Sequence, residues 1–129
     1  GLWETALGEN EILTEVRIPL DNTNANSCYL KFPQPASRYP YVGCAVAMDK
    51  SGENCSEVRV GFSGVAESAF RDSGVEDAIR GQMLNDETIA EASAKAAEGR
   101  TVLSDYFVSE EYRRAMAQVY AKRALTQLS

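Results

Sequence analysis

Tyr29 and Lys31 stand one residue apart in "CYLKFPQPASRYPYVGCAVAM", residues 28–48. Side chains along a strand repeat every two residues, so the two share one face. A planar aromatic beside a cation could cover a flat cofactor ring and hydrogen-bond its polar edge. The same pattern describes a half-buried tyrosine beside a lysine that lays its stem on apolar surface and lifts its ammonium into water. Spacing alone leaves both readings open.

The other chemistry-bearing types are thinner. "GFSGVAES" (residues 61–68) holds a G-x-x-G after a strand. Phosphate-cradling loops need a G-x-x-x-x-G-K-[ST] or a G-x-G-x-x-G opening a helix, so a strand-to-helix turn in which glycine relieves strain is the simpler account. Asp72, Glu76, Asp77, Asp86 and Glu87 could form a carboxylate pair or a hard-metal site, but no D-x-D-x-D-G loop accompanies them. Acids at helix N-termini explain them. "EYRR" (residues 111–114) could clamp an anion. Arg114 also has Glu110 and Glu111 within one helical turn, which gives it partners without a ligand. Cys28, Cys44 and Cys55 are an odd, widely spaced set without a CxxC pair. They read as buried thiols of a reducing compartment, not as a disulfide framework or a metal site. The chain has no histidine, which removes the usual general base and the Ser-His and Cys-His arrangements. No residue set suffices for catalysis, and no metal site is expected.

The chain has 129 residues, 44% of them hydrophobic and 25% charged, which suits one compact domain over residues 1–129. Its net charge is −6 and its basic residues are dispersed, so a nucleic-acid surface is not expected. No apolar run approaches the ~20 residues that span a bilayer. The start, "GLWETALGENE", lacks the regions of a signal peptide and does not begin with Met. It reads as the cut end of a longer chain, or as a trimmed tag.

The elements that must position these residues change in character near residue 65. Val, Ile, Tyr, Phe and Pro dominate before it, and Ala, Glu, Arg and Lys after it. Strands over about residues 11–63 are expected to precede helices over about 67–128, an α+β order. "ILTEVRIP" (12–19) alternates, with Ile12, Thr14, Val16 and Ile18 on one face. A polar loop (21–26) leads to a short strand at 27–32, stopped by Pro33 and Pro35. "YVGCAVAM" (41–48) is continuously apolar, as expected of a central strand covered on both faces. The loop at 49–54 should join it in a hairpin to "SEVRVGF" (56–62), with Val58, Val60 and Phe62 inward. A first helix is expected to open on Ser73 with Glu76 completing a capping box, burying Val75, Ala78 and Ile79. A second should run to Gly99, burying Ile89, Ala92, Ala96 and Ala97. A third should be capped by Ser109 and bury Tyr112, Met116, Val119, Tyr120 and Ala124.

In that order of segments the chain resembles the C-terminal domain of the FAD-binding medium subunits of molybdenum hydroxylases, the carbon monoxide dehydrogenase and xanthine dehydrogenase family. "TALGENEILTEVRIP", "YLKF…YPYVGCAVAM", "EVRVGFSGVAES", "VEDAIRGQMLNDETIAEASAKAAE" and "SDYFVSEEYRRAMAQVYAKRAL" carry the likeness over nearly the whole chain. It implies an antiparallel sheet of three to four strands followed by a three-helix bundle packed on it. It also implies that FAD is bound mainly by an upstream domain, which this chain would cover. The partners implied are that domain and iron–sulfur and molybdopterin subunits, with a homo-oligomer as a further option, in the cytoplasm. Under the resemblance Tyr29 is the cover of the flavin ring. Lys31 becomes the polar contact to the flavin or to its electron acceptor. The "PQPAS" loop departs from the family's basic loop, with only Arg38 after it. That departure motivates a second reading, a free-standing acidic interaction module that has lost flavin. A small enzyme working through carboxylates alone lacks a convergent acid pair.

Overall fold

The computed structural model describes residues 4–18 and 26–129. Four antiparallel strands form a meander in chain order, β1 (Asn26–Pro33), β2 (Pro40–Ser51), β3 (Asn54–Ser63) and β4 (Phe70–Arg71). Helices α1 (Ser73–Ile79), α2 (Asp86–Ala94) and α3 (Glu110–Leu128) follow. The α+β order and the β2–β3 hairpin are those expected, with Gly52 at φ 63° in the connecting turn. β4 is too short for any alternation to show in the sequence.

The sheet sorts its side chains by the period of two. Val42, Cys44, Val46 and Met48 of β2 and Val58, Val60 and Phe62 of β3 are buried, and Cys28, Leu30 and Phe32 of β1 pack against them. α3 lies over β1 and β2, α1 beside β3, and α2 against both helices. All three helices therefore cover one face. The expectation that β2 is covered on both faces is corrected: Ala45 is exposed and Tyr41 and Ala47 only half-buried. The run reads as apolar throughout because large residues face the helices while Gly43, Ala45 and Ala47 face away.

The strand expected at 12–19 is also absent over its described part. Residues 12–18 lie in no strand and are exposed, and Pro19 falls outside the described residues. Alternation gives a segment a face to bury, but a strand also needs an edge to pair with. The polar loop likewise falls outside them over residues 21–25.

The helix ends follow local chemistry that sequence reading misplaced. α1 is capped by Asp72, not Ser73, with Asp72 Oδ1 accepting from Val75 N at 3.3 Å. Its other oxygen accepts from Ala97 N at 2.8 Å, tying α1 to the turn after α2. Glu76 completes no capping box. It is buried and accepts from Val60 N at 2.9 Å and from Arg71 at 2.9 and 2.6 Å. α2 opens on an Asn85–Thr88 capping box and ends at Ala94 instead of reaching Gly99. The chain then turns through Ala97 and Gly99, both at positive φ. Ser109 caps α3 as expected. The buried residues of α3 are Arg113, Ala117, Ala121, Ala124 and Leu125; of the expected stripe only Ala124 is fully buried. Small residues let the helix lie close to the sheet. Met116 and Tyr120 pack at its flank, and Tyr112 is half exposed.

Arg113 is the buried cation of the core, with 3% of its side chain exposed. Its Nε donates to Leu103 O at 3.0 Å, and its Nη1 donates to Tyr41 O at 2.9 Å and Gly64 O at 2.8 Å. Its Nη2 pairs with Asp105. One guanidinium thus joins the start of β2, the turn after β3, the strap before α3 and α3 itself. Gly64 sits at φ 74°, where a Cβ would run into the Pro40 and Tyr41 carbonyls. The G-x-x-G thus marks a turn that needs its glycine, as expected, but the turn leads from β3 to the short β4 rather than into a helix.

Arg113→Met should therefore cost roughly 3–5 kcal/mol, because it strands buried acceptors. Urea unfolding measures this. Breaking the exposed Lys95–Glu98 pair with Lys95→Ala should cost under about 1 kcal/mol. Burial raises the Asp105 carboxyl, but the Phe107 and Val108 N–H groups and Arg113 outweigh it, leaving the carboxyl below its ordinary range. A depressed folded value stabilises above the unfolded one and is lost as pH falls through the folded one. Unfolding free energy should therefore hold through mildly acidic pH and drop below the ordinary carboxylate range. Asp105→Asn should flatten that acid limb.

Candidate functional site

Among the described residues, no layer covers the face of the sheet away from the helices. The register aligns its residues in three rows. Lys31, Gly43 and Ser63 form one, Tyr29, Ala45, Gly61 and Arg71 the second, and Ser27, Ala47 and Arg59 the third. The floor is built of glycine, alanine and serine, so it is nearly flat. Taller side chains stand at its rims: Tyr29 and Lys31 on β1, and Arg59 and Arg71 toward β3 and β4. The result is a shallow open depression of about 530 Å³ along Tyr29, Ala47, Arg59, Gly61 and Arg71. It continues into one of about 390 Å³ reaching Ser63 and Phe70.

Tyr29 is 53% exposed, and its ring lies across Gly43. A Cβ built on Gly43 would collide with Tyr29 Oη and come within 2.5 Å of Ser63 Oγ. The glycine is therefore the seat of the tyrosine. Lys31 is exposed, but its ammonium donates to Arg38 O at 3.2 Å. That bond closes the loop between β1 and β2. In this loop Gln34 N donates to Tyr39 O at 2.8 Å and Arg38 N to Gln34 O at 2.8 Å. Arg38 takes a positive φ of 61°. "PQPAS" is thus a hydrogen-bonded turn rather than a loose one. Arg71 is fixed by the buried Glu76 carboxylate, so its guanidinium is held at the rim. Cations gather along this face of a chain whose net charge is −6. Asp49 and Glu57 face each other in the register two residues past Ala47 and Arg59.

The structure brings Tyr29 and Lys31 to one face, as their spacing requires. Gly43, Ser63, Arg59 and Arg71 were missed by sequence reading. Alternation of large and small residues within "YVGCAVAM" was the signal that could have found the floor. Arg71 depends on a two-residue strand and had none.

The other candidates have structural places, Asp86 and Glu87 as acids in the first turn of α2. Arg114 pairs with Glu110 at 2.9 Å and donates to Ala97 O and to Arg100 O, so "EYRR" offers no anion clamp. Asp72 and Glu76 serve the backbone and Arg71, and Asp77 pairs with Arg80 at 2.7 Å. Burial pushes the Cys44 thiol up to about 12, with Cys28 and Asp72 adding to the rise. It is not a thiolate at neutral pH. Burial raises Cys28 and Cys55 as well. Among the described residues no cluster of three or more metal-ligating side chains occurs. No described helix is long and apolar enough to cross a membrane.

Comparison with known proteins places these features. The family model for the CO dehydrogenase flavoprotein C-terminal domain matches residues 27–128. The carbon monoxide dehydrogenase medium chain of Hydrogenophaga pseudoflava is 31% identical over 97% of this chain and 44% of its own. The nicotine 6-hydroxylase medium subunit of Paenarthrobacter nicotinovorans is 28% identical over 98% of this chain and 44% of its own. The solved carbon monoxide dehydrogenase of H. pseudoflava superposes with a TM-score of 0.88 at 31% identity, over 97% of this chain and 44% of that one. The chain thus spans less than half the length of these relatives.

Gly43→Ala tests the seat of Tyr29. Both atoms it displaces are side-chain ends, so stability should change by less than about 1 kcal/mol. NMR should show the Tyr29 and Ser63 resonances shifting while the Val42 and Val46 methyls stay in place. Equal movement of those core methyls would show instead that the glycine serves the sheet.

Proposed function

The chain belongs to the CO dehydrogenase flavoprotein C-terminal domain family, and from that premise we propose that it is the C-terminal domain of an FAD-containing electron-transfer subunit of a molybdenum hydroxylase. In this role it covers the flavin and packs against partner subunits, and it is not catalytic alone. The observation that carries the reading is the bare, small-residue face of the sheet, rimmed by Tyr29 and Lys31. Ala45, Ala47 and Gly61 leave room for a flat ring to lie close to the backbone beside Tyr29, and the depression is open enough to admit one. FAD, held mainly by an upstream domain, supplies the exchange of electrons between redox partners. This chain's own residues exclude water and set the charge beside it. Tyr29 presents an aromatic flank. Lys31 supplies a cation that reaches the flavin or its acceptor by releasing the Arg38 carbonyl.

The partners in this reading are the upstream domain and iron–sulfur and molybdopterin subunits. Names such as "medium chain" and "medium subunit" among the relatives support an assembly of this kind. Three unpaired cysteines support a reducing, cytoplasmic setting.

The test uses the full-length subunit. Tyr29→Ala and Lys31→Ala should leave folding intact and change flavin reduction or acceptor turnover by about tenfold, equivalent to ~1.4 kcal/mol at the barrier. Flavin content, flavin potential and turnover are the measurements. If both variants match wild type in all three, Tyr29 and Lys31 are strand residues only. Absence of tightly bound flavin from the full-length protein would favour the free-standing module.

A further inference from the structure

We propose that Gly61 and Arg71 are further binding residues for the flavin: the ring lies over Gly61, and the Arg71 guanidinium donates to its carbonyl-bearing edge. The inference rests on the reading that this face receives FAD.

The first observation is a glycine that the fold does not need. Gly61 lies inside β3, where glycine weakens a strand unless something uses the room it leaves. Its φ is not positive. A Cβ built on it would meet only the Phe70 carbonyl oxygen, at 3.7 Å, an ordinary van der Waals contact. Gly43 and Gly64 differ, since a Cβ there would collide with Tyr29 Oη or with the Pro40 carbonyl. The domain's own atoms account for those two glycines and not for Gly61. A group from outside the domain, lying close to the backbone, accounts for it.

The second observation is a half-used guanidinium. Arg71 stands beside Gly61 in the register, with 60% of its side chain exposed. Its Nε and Nη2 are held by the Glu76 carboxylate at 2.9 and 2.6 Å, and only 5% of the Glu76 side chain is exposed. Arg71 Nη1, with two N–H donors, has no partner among the described residues. Arg71 lines both depressions, so these donors are held where the two meet. A buried acid that grips a guanidinium by two bonds pre-orients the rest of its fork.

The row Tyr29, Ala45, Gly61 and Arg71 sets the fit. Three strand spacings of about 4.8 Å put roughly 14 Å between its ends. A three-ring isoalloxazine along this row has an aromatic flank at one end and a donor fork at the other. Its pyrimidine carbonyls accept hydrogen bonds and its benzenoid end does not, so the carbonyl edge points to Arg71. Reduction adds electron density to that edge, and a guanidinium beside it favours the reduced ring. Glu76 is then a positioning residue that sets where Arg71 stands.

Titration of FAD into the flavin-stripped, full-length subunit, followed by flavin fluorescence, tests Gly61. Gly61→Ala should weaken flavin binding at least about tenfold while the stripped protein melts no lower than wild type, because the added methyl meets no protein atom closely. Unchanged flavin affinity overturns the proposal. So does a lowered melting temperature of the stripped protein, which shows that the fold needs the glycine. The flavin potential tests Arg71. Arg71→Gln should lower the preference for reduced over oxidised flavin about tenfold, ~30 mV for two electrons. That variant leaves Glu76 unpaired, so Arg71→Gln combined with Glu76→Gln is measured beside it. The double variant should regain stability and keep the lowered potential, since the new amide oxygen can still accept from Val60 N. A wild-type potential in both variants overturns the role of Arg71. A wild-type subunit that binds no flavin removes the proposed function and this inference together, whereas tight wild-type flavin with unaltered variants removes this inference alone.

Discussion

A buried guanidinium needs acceptors on every side, and Arg113 finds four in segments far apart in the chain. The Tyr41 carbonyl comes from β2 and the Gly64 carbonyl from the turn directly after β3, at the end of the bare face where Gly43 and Ser63 lie. Desolvating the charge is costly, and that cost is met only when all the acceptors arrive together. The bond set therefore acts as a check on assembly: β2, the turn after β3 and α3 are right together or not at all. Glu76 does the same at the opposite rim, joining α1 to β3 through Val60 N and holding Arg71 beside the floor.

These two buried charges explain how the domain can leave one side of its sheet open. A two-layer domain ordinarily draws stability from the face it covers. Here the helix-facing side holds Val42, Cys44, Val46, Met48, Val58, Val60 and Phe62, while the open side holds little that water would penalise. Small residues expose little apolar area. The bare face is therefore compatible with a stable domain and also suited to receive a flat partner.

Much of this was legible in the chain. Strands before helices, the hairpin around Gly52, the Ser109 cap and the Tyr29-x-Lys31 face follow from local rules. The errors share a cause. "YVGCAVAM" was read by polarity when side-chain size separated its faces. Tyr112 and Tyr120 outweighed Ala117 and Ala121 in the α3 stripe, although close packing favours the alanines. Arg113 was legible only as part of a possible anion clamp, because a buried charge is defined by distant carbonyls, which no local pattern shows. Residues 12–18 had the right pattern for a strand and no partner among the described residues.

The alternation in β2 also separates two kinds of inheritance. A slip of one residue would expose Val42, Cys44, Val46 and Met48 and bury Gly43, Ala45 and Ala47, so the core itself holds the register. The open face is carried in place by residues it does not contain. Substitutions on it, those of Arg71 with its buried Glu76 partner apart, leave the packing that positions it untouched. A lineage can therefore retune what this surface meets, one exposed side chain at a time, while the scaffold stays still.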